Sequence, residues 1–404
     1  MSVTSERRVE SSGAGRLPKP TLESGIIVTN RRALTQNYGR QVEEVDAAID
    51  ALVTSRRGAG IQLDLFSLDD HDQLRPYGVP PVVDARDISG NDTTIRGICQ
   101  ALNPEYVLIV GSVDVVPHQI LASSFSGSIE THVATDWPYG WLDPGGLDSQ
   151  RPPRMVGRIP GITGSRNAQP QIAALRHATR TNGRTVADYL NPFVVCCESF
   201  RESTEETVYE ALGSVDEVCS VPSPQGVDWS DEQVGRSLHI INCHGFPNTP
   251  FFSGRREKGP TCPALLPEQI DGRLGWGTVA AVTCCYGADL YAPLGDGSST
   301  RYMPMCNAFL ANGAIGYFGS TGSSHGGRFH PKEADLLVKE FVRTWLQGGS
   351  LGEASRHSIL QLISSSSGLD PARVRKNAWQ FILLGDPTAR PSRDGSGPQA
   401  RANL

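Results

Sequence analysis

Hydrophobic and polar positions along the first part of this chain alternate between short apolar runs and segments with a helical period. Apolar or alternating runs predict strands at residues 25–30, 61–68 and 106–110. A spacing of three to four residues between apolar positions predicts helices at 34–53 and 93–102. The order strand, helix, strand, helix, strand is typical of right-handed crossovers, and it predicts a parallel sheet.

The same alternation continues to the end of the chain, and its 404 residues exceed one typical domain core. We predict an α/β fold of mostly parallel sheets flanked by helices, in two subdomains at 20–163 and 164–391, with polar tails at 1–19 and 392–404. The further predicted strands are 155–159, 193–197, 217–221, 238–241, 279–282, 314–318 and 381–384, and the further helices are 169–180, 204–212, 304–312, 334–346 and 351–363.

Composition narrows the classes of function. A formal charge of −6 and a pI near 5.9 give no reason to expect nucleic acid as a partner. No apolar run approaches the ~20 residues of a membrane span, and residues 1–19 lack the apolar segment of a signal peptide. The nine cysteines are an odd number that includes two adjacent pairs, which indicates reduced thiols and a cytoplasmic protein. The Gly-, Pro- and aromatic-rich segment 134–153 predicts a surface loop.

Two of the predicted strands end in residues that can carry out covalent chemistry. The run 238–241 leads into Asn242, Cys243, His244 and Gly245, and the run 279–282 leads into Thr283, Cys284 and Cys285. Because ligands of α/β sheets bind at the carboxyl ends of the strands, neighbouring strands would bring the imidazole and a thiol together there. A thiolate beside an imidazolium is a strong nucleophile with a proton donor next to it.

The residues leave several alternatives open. Neighbouring residues on a strand point to opposite faces, so one of Cys284 and Cys285 is expected to meet His244, and either thiol or the imidazole can instead be packed in the core. A metal site from Cys243, His244, Cys284 and Cys285 is disfavoured, because the chain has no Cys-x-x-Cys spacing. Ser324 lies in a Gly-x-Ser-x-Gly pattern, but a predicted loop rather than a strand and helix surrounds it, which disfavours a serine nucleophile.

The order of six segments resembles the gingipain-type (C25) cysteine peptidases of the caspase-like clan. The match spans roughly residues 25 to 391, and each segment alone is a weak signal. The segments are Tyr-Val-Leu-Ile-Val-Gly-Ser-Val-Asp-Val-Val-Pro at 106–117, Thr-Asp-Trp-Pro-Tyr at 135–139 with Val-Gly-Arg-Ile-Pro at 156–160, Asn-Cys-His-Gly at 242–245, Thr-Cys-Cys-Tyr-Gly at 283–287, Gly-Ala-Ile-Gly-Tyr-Phe-Gly at 313–319 and Leu-Gly-Asp-Pro at 384–387.

This resemblance implies a cysteine endopeptidase and assigns roles to the residues. The clan's nucleophile follows four apolar residues, one variable residue and one small residue, which selects Cys285 and leaves Cys284 as the alternative. His244 is then the acid and base, and the amides of Gly245 and Cys285 form the oxyanion hole, with the glycine giving the substrate carbonyl room to approach. Asp136 and Asp289 are candidate pocket acids for a basic P1 residue, and Asp114 is expected to fix a loop.

We expect a protein or peptide substrate, no nucleic-acid or membrane partner and no metal or other cofactor. Calcium enters only through the resemblance, and no ligand loop for calcium is visible in the sequence. The alternative function is that of a non-catalytic caspase-like scaffold or regulatory protein. The presence of both His244 and Cys285 argues against that alternative.

Overall fold

A computed structural model describes residues 22–141, 154–180, 183–214, 216–222, 228–295, 299–365 and 368–392. Ten strands form one sheet in the order β2-β1-β3-β6-β14-β13-β12-β9-β7-β8. Two small hairpins, β4-β5 and β10-β11, accompany it. The strands are β1 Glu23–Thr29, β2 Ile61–Ser67, β3 Tyr106–Val110, β4 Gln119–Ala122, β5 His132–Thr135, β6 Met155–Ile159, β7 Phe193–Cys197, β8 Cys219–Val221, β9 Leu238–Asn242, β10 Phe252–Gly254, β11 Cys262–Leu265, β12 Thr278–Val282, β13 Ala314–Ser320 and β14 Phe381–Gly385.

The helices form two rows of mutually packed elements, one of α2, α5 and α8 and the other of α6, α9, α10 and α11. Most begin at a side-chain cap, as at Asn30, whose oxygen accepts the Ala33 N–H. The helices are α1 Arg31–Tyr38, α2 Val42–Gly58, α3 His71–Leu74, α4 Ile88–Leu102, α5 Gln169–Thr179, α6 Arg201–Leu212, α7 Asp231–Val234, α8 Met305–Ala311, α9 Glu333–Leu346, α10 Leu351–Ser364 and α11 Pro371–Gln380.

The predicted fold class is confirmed, and the two predicted α/β units share a single sheet. Every neighbouring pair of strands is parallel except β13 and β14. The five strands from β2 to β14 therefore run in one direction and the five from β13 to β8 in the other. The predicted tails at 1–19 and 392–404 lie outside the described residues, apart from Ser392.

The central strands are buried along their whole length. Every residue of β9 and β12 is buried. Since successive side chains point to opposite faces, both faces of this part of the sheet are covered, which explains why these strands are uninterrupted apolar runs in the sequence. No helix in the described residues is long and apolar enough to cross a membrane.

The prediction of a surface loop at 134–153 is wrong for residues 134–141. Residues 142–153 lie outside the described residues. Thr135 ends β5, and a short 3-10 helix follows at Trp137–Gly140. Trp137 and Tyr139 are buried, and the Trp137 indole donates to the Phe381 carbonyl at 2.7 Å. Trp137 and Tyr139 are core residues because each polar tip finds a main-chain acceptor, the Phe381 carbonyl for the indole and the Pro117 carbonyl for the hydroxyl.

Candidate active site

Three strands that lie side by side, β7, β9 and β12, end at the same edge of the sheet. The pairing is parallel, with Val282 opposite Ile241 and Asn242 opposite Cys196. His244 and Cys285 each come three residues after the paired residues Ile241 and Val282. The structure therefore brings the ends that carry the predicted imidazole and thiol to adjacent positions on one edge.

Gly245 is the point of closest approach between the two ends. A Cβ atom at Gly245 would overlap the main-chain carbonyl oxygen of Cys285. We expected Gly245 to leave room for a substrate carbonyl, but the structure shows a different reason for a glycine at this position. The missing side chain lets the backbone after His244 lie directly against the backbone of Cys285.

The two adjacent cysteines face different surroundings. Cys284 is fully buried, its sulfur accepts the Cys243 N–H at 3.2 Å, and its thiol points to the Ile241 carbonyl at 3.8 Å. Cys285 is partly exposed, and its thiol donates to the Ser324 carbonyl at 3.5 Å. A substrate can reach the Cys285 thiol, whereas the Cys284 thiol lies within the sheet.

A tight turn after β12 holds Cys285 at the surface. Tyr286 has a φ of 55°, a left-handed conformation that is uncommon for a residue with a side chain. Its N–H donates to the Gly322 carbonyl at 2.8 Å, and its hydroxyl donates to Glu130 at 2.6 Å. The turn is therefore fixed from both ends of the tyrosine.

Glu130, in the loop between β4 and β5, ties this turn to the loop 322–326. Besides the Tyr286 hydroxyl, its carboxylate accepts the Ser323 N–H at 3.1 Å and pairs with Lys376 at 2.7 Å. Burial raises the pKa of Glu130, but Lys376, Tyr286 and Ser323 together outweigh it and lower that pKa. Lys376 is buried on α11 and also donates to the Ser323 carbonyl at 2.6 Å.

Ser324 lies beside the candidate nucleophile without being one. Its hydroxyl donates to the Thr283 carbonyl at 2.6 Å and lies 3.7 Å from the Cys285 sulfur. Residues 321–332 lie between β13 and α9, so the strand-turn-helix context of a serine nucleophile is absent here. The segment forms one wall of the surroundings of Cys285.

His244 is held by its main chain and by one aromatic ring. Its N–H donates to the Ser253 carbonyl and its carbonyl accepts the Ser253 N–H, both at 2.8 Å. The Phe200 ring lies edge-on to the imidazole with centroids 4.9 Å apart. The Nε2 atom is buried and has no hydrogen-bond partner among the described residues.

Cys197 ends β7, the strand that pairs with β9 on the side opposite β12, and its thiol is buried. The Cys197 sulfur also lies 3.2 Å from the Arg255 carbonyl, 3.3 Å from the Arg255 N–H and 3.4 Å from the Ser199 hydroxyl. Burial raises the pKa of Cys197, but the contacts with His244, Ser199 and Arg255 outweigh it and bring the pKa to about 7.

Asp335, near the start of α9, braces the end of β9. Its carboxylate accepts the Asn242 amide at 3.3 Å, the Ser203 hydroxyl at 3.1 Å and the N–H groups of Gly327 and Lys332 at 2.5 and 3.1 Å. Burial raises the pKa of Asp335 to about 6 despite these donors. This carboxylate links the strand before His244 to the segment that follows Ser324.

The two candidate pocket acids differ. Asp136 is buried, and its oxygens accept Arg158 at 2.6 and 2.7 Å and lie 2.8 Å from His118, so its carboxylate is engaged inside the protein. We therefore withdraw Asp136 as a substrate contact.

Asp114 accepts Asn37 at 3.0 Å and the Gly164 N–H at 2.9 Å, which confirms its expected role in fixing a loop.

Asp289 is partly exposed, four residues after Cys285. The Asn248 N–H donates to its carboxylate at 3.3 Å, and no Lys, Arg or His side chain of the described residues forms an ion pair with it. Burial, the main cause, raises the pKa of Asp289. A partly buried carboxylate that forms no ion pair is one that a cationic ligand group would stabilise.

The amides of Gly245 and Cys285 have no acceptor among the described residues. Two free N–H groups on adjacent strand ends are the donors that an oxyanion hole requires.

Within the described ranges, no group of three or more His, Cys, Asp or Glu side chains is arranged to hold a metal ion.

Sequence reasoning missed four residues that shape this edge: Cys197, Phe200, Glu130 and Lys376. Cys197 carried the same signal as His244 and Cys285, a reactive side chain at the end of an apolar strand, but no role was inferred for it. Glu130 and Lys376 lie in a loop and on a helix with a polar buried face, and neither gives a local signal in the sequence.

Solved structures with a similar fold include cysteine proteinases. The crystal structure of the Arg-specific cysteine proteinase gingipain R matches with a TM-score of 0.58 at 11% identity, over 93% of this chain and 79% of that chain. A structure described only as a protease matches with a TM-score of 0.58 at 14% identity, over 93% of this chain and 80% of that chain.

A complex of the pro- and mature domains of RgpB from Porphyromonas gingivalis gives a TM-score of 0.58 at 12% identity, over 91% of this chain and 79% of that chain. No protein-family model matches the chain, and no curated protein matches it in sequence. The chain thus has the gingipain-like fold that the resemblance implied. At this level of identity the likeness concerns the fold.

Proposed function

We propose that this protein is a cysteine endopeptidase that hydrolyses protein or peptide substrates. The observation that carries the proposal is the partly exposed thiol of Cys285 at the strand end adjacent to that of His244, in the fold of a cysteine proteinase. The buried position of Cys284 supports Cys285 as the nucleophile.

In the proposed reaction, the Cys285 sulfur attacks the carbonyl carbon of the scissile peptide and forms a carbon–sulfur bond. The carbonyl oxygen becomes an oxyanion that the free amides of Gly245 and Cys285 stabilise, and such a donor contributes about 2.7–4 kcal/mol. His244 gives its proton to the leaving amine as the carbon–nitrogen bond breaks. Water, deprotonated by His244, then cleaves the thioester and releases the acid and the free thiol.

We further propose that the substrate carries a basic residue at P1, and that Asp289 recognises it. This carboxylate lies four residues after Cys285, is partly buried, and forms no ion pair with a Lys, Arg or His side chain of the described residues. A guanidinium or ammonium group from the substrate would supply the missing counter-charge.

We also propose that the enzyme works in a reducing, intracellular compartment. All nine cysteines lie in described ranges and are free. This supports the proposal, since thiols in such numbers persist where disulfides are kept reduced.

Replacing Cys285 by Ala tests the proposal. We expect loss of cleavage of an Arg-P1 fluorogenic peptide, and loss of covalent labelling by a matching peptidyl chloromethylketone, with the thermal unfolding midpoint unchanged. Cys262→Ala, which removes another partly exposed thiol, is the matched control and should keep both activities. A Cys285→Ala variant that still cleaves and is still labelled would refute the assignment of the nucleophile. If the folded wild-type protein neither cleaves the peptide nor reacts with the chloromethylketone, the proposal that it is a cysteine endopeptidase is refuted.

A further inference from the structure

The side chain of Ser323, in the loop after β13, contacts the candidate nucleophile. Its hydroxyl oxygen lies 3.9 Å from the Cys285 sulfur and has no other hydrogen-bond partner in the described part of the chain. Hydrogen bonds to reacting groups are often long in a free enzyme and shorten in the reaction complex. The Ser323 hydroxyl is therefore free to donate to the sulfur.

The neighbouring Ser324 is less suited to be this donor. Its hydroxyl lies 3.7 Å from the Cys285 sulfur, but it donates to the Thr283 carbonyl at 2.6 Å, and a hydroxyl has one hydrogen to give. The Ser324 carbonyl accepts the Cys285 thiol hydrogen at 3.5 Å. When the thiol loses that hydrogen, the negative sulfur faces a carbonyl oxygen, and a hydrogen-bond donor is needed to stabilise its charge.

Buried polar side chains hold the main chain of Ser323. Its N–H donates to the Glu130 carboxylate at 3.1 Å, and its carbonyl accepts Lys376 at 2.6 Å and Gln380 at 3.0 Å. Lys376 and Gln380 are fully buried on α11. Polar groups in such positions are costly to bury unless they form hydrogen bonds, and here both bond to the same carbonyl. These contacts fix the backbone from which the hydroxyl reaches Cys285.

We propose that Ser323 is a catalytic residue whose hydroxyl donates a hydrogen bond to the Cys285 thiolate. This inference rests on the proposed function, in which the Cys285 sulfur attacks the scissile carbonyl. Once the thiol proton has passed to His244, the bond from Ser323 stabilises the charged sulfur and holds it at the edge of the sheet. Glu130, Lys376 and Gln380 position the donor.

The other titratable groups near this sulfur are unchanged when the Ser323 hydroxyl is removed. They come from the β4-β5 loop, α11, the end of β9, the segment after β12 and the loop of Ser323, and they are Glu130, Lys376, His244, Tyr286, Asp289 and His325. A change in the pH dependence of Cys285 in a Ser323 variant is therefore an effect of the hydroxyl.

The test measures the rate at which iodoacetamide alkylates Cys285 from pH 5 to pH 9, by mass spectrometry of the peptide that contains it. The thiolate is the reacting form, so the rate follows its population. We expect Ser323→Ala to react about three- to tenfold more slowly than wild type at pH 6, as for one lost hydrogen bond to a charged group, with a smaller difference at pH 9. Ser220→Ala, which removes a partly exposed hydroxyl on β8, is the matched control and should keep the wild-type curve.

Cleavage of an Arg-P1 peptide gives a second readout. We expect Ser323→Ala to lower kcat about three- to tenfold with little change in KM, because the hydroxyl contacts the sulfur rather than the substrate. Ser323→Thr keeps a hydroxyl and should restore kcat and the alkylation curve. Ser323→Val has the shape of threonine without the hydroxyl and should behave like Ser323→Ala.

An alkylation curve of Ser323→Ala that matches wild type would overturn the inference. So would equal curves for Ser323→Thr and Ser323→Val, and this pair decides if Ser323→Ala does not fold. Failure of the proposed function is distinguishable, because alkylation needs no cleavage. A wild-type protein that is alkylated at Cys285 but cleaves no peptide would refute the peptidase, and the alkylation curves would still decide whether Ser323 stabilises the thiolate.

Discussion

At the scale of single residues, the glycine at 245 and the order of burial of two adjacent cysteines determine the geometry of the candidate site. Gly245 permits backbone contact with Cys285, and Cys284 occupies the buried position so that Cys285 takes the exposed one. The second outcome follows from the alternation of a strand end, where neighbouring side chains point to opposite sides. A shift of one residue in register would bury Cys285 and expose Cys284.

Asp289→Asn tests the proposed P1 pocket at the same scale. The variant keeps the size of the side chain and removes its charge, so we expect kcat/KM for an Arg-P1 peptide to fall by about 100-fold, as for a lost charged contact of about 2.7 kcal/mol. The measurement pairs this peptide with its citrulline-P1 analogue, which has the same shape without charge. Wild type should prefer arginine, and Asp289→Asn should lose the preference. An unchanged ratio would remove Asp289 from the pocket.

At the scale of elements, the site is assembled by pieces that are remote in the chain. The β4-β5 hairpin brings Glu130, α11 brings Lys376, and the loop after β13 brings Ser323 to the turn that holds Cys285. α11 was not predicted, because its buried face includes Lys376, Asn377 and Gln380 and therefore carries no apolar stripe. These polar residues are buried because each one binds the loop 322–326.

Glu130→Gln tests this assembly and its pH dependence. The pKa of Glu130 is lowered in the folded protein, so its contribution to the free energy of unfolding is present above the unfolded value near 4.5 and is lost as pH falls through the folded value. We expect the variant to be less stable at pH 7 by about 1–3 kcal/mol, because Lys376 loses its carboxylate partner. Its stability should change less than that of wild type between pH 5 and pH 3.

The control for Glu130→Gln is Glu210→Gln, which breaks the more exposed pair with Lys339. Surface pairs contribute about 0–1 kcal/mol, so this variant should differ little from wild type in denaturant unfolding. Equal stability losses in the two variants, or parallel pH curves for wild type and Glu130→Gln, would contradict the assigned role of Glu130.

At the scale of the whole molecule, one ten-stranded sheet joins the two predicted units. β14 pairs with β6 on one side and with β13 on the other, so the last strand connects the two directions of the sheet. Asp386 follows β14 directly and pairs with Arg56 of α2 at 2.6 Å, and both side chains are fully buried. The pair fastens the C-terminal strand to the N-terminal half of the chain.

Asp386→Asn should therefore destabilise the whole sheet. The variant removes the carboxylate that the buried Arg56 guanidinium pairs with, and breaking a buried ion pair costs about 3–5 kcal/mol. We expect a lower midpoint of denaturant unfolding, with a single transition. Asp46→Asn, which breaks the exposed pair with Arg31, is the matched control and should cost about 0–1 kcal/mol. A loss in Asp386→Asn no larger than in this control would show that the connection lies elsewhere.

The sequence by itself determined the apolar strands, the helices with an apolar stripe and the strand ends at which His244 and Cys285 lie. These features depend on local periodicity and on burial of both faces of a parallel sheet, and both leave a pattern in consecutive residues. The strand bounds at 106–110, 155–159 and 193–197 agree with the observed β3, β6 and β7 for this reason.

Only the tertiary structure decided which polar side chains pair across long separations. It buried Asp136 against Arg158 and brought Glu130 and Lys376 to the turn of Cys285. Such contacts depend on strand order and on the path of loops, and neither leaves a periodic signal. The local sequence around a loop carboxylate is therefore the same whether that carboxylate binds a substrate or pairs with a buried arginine.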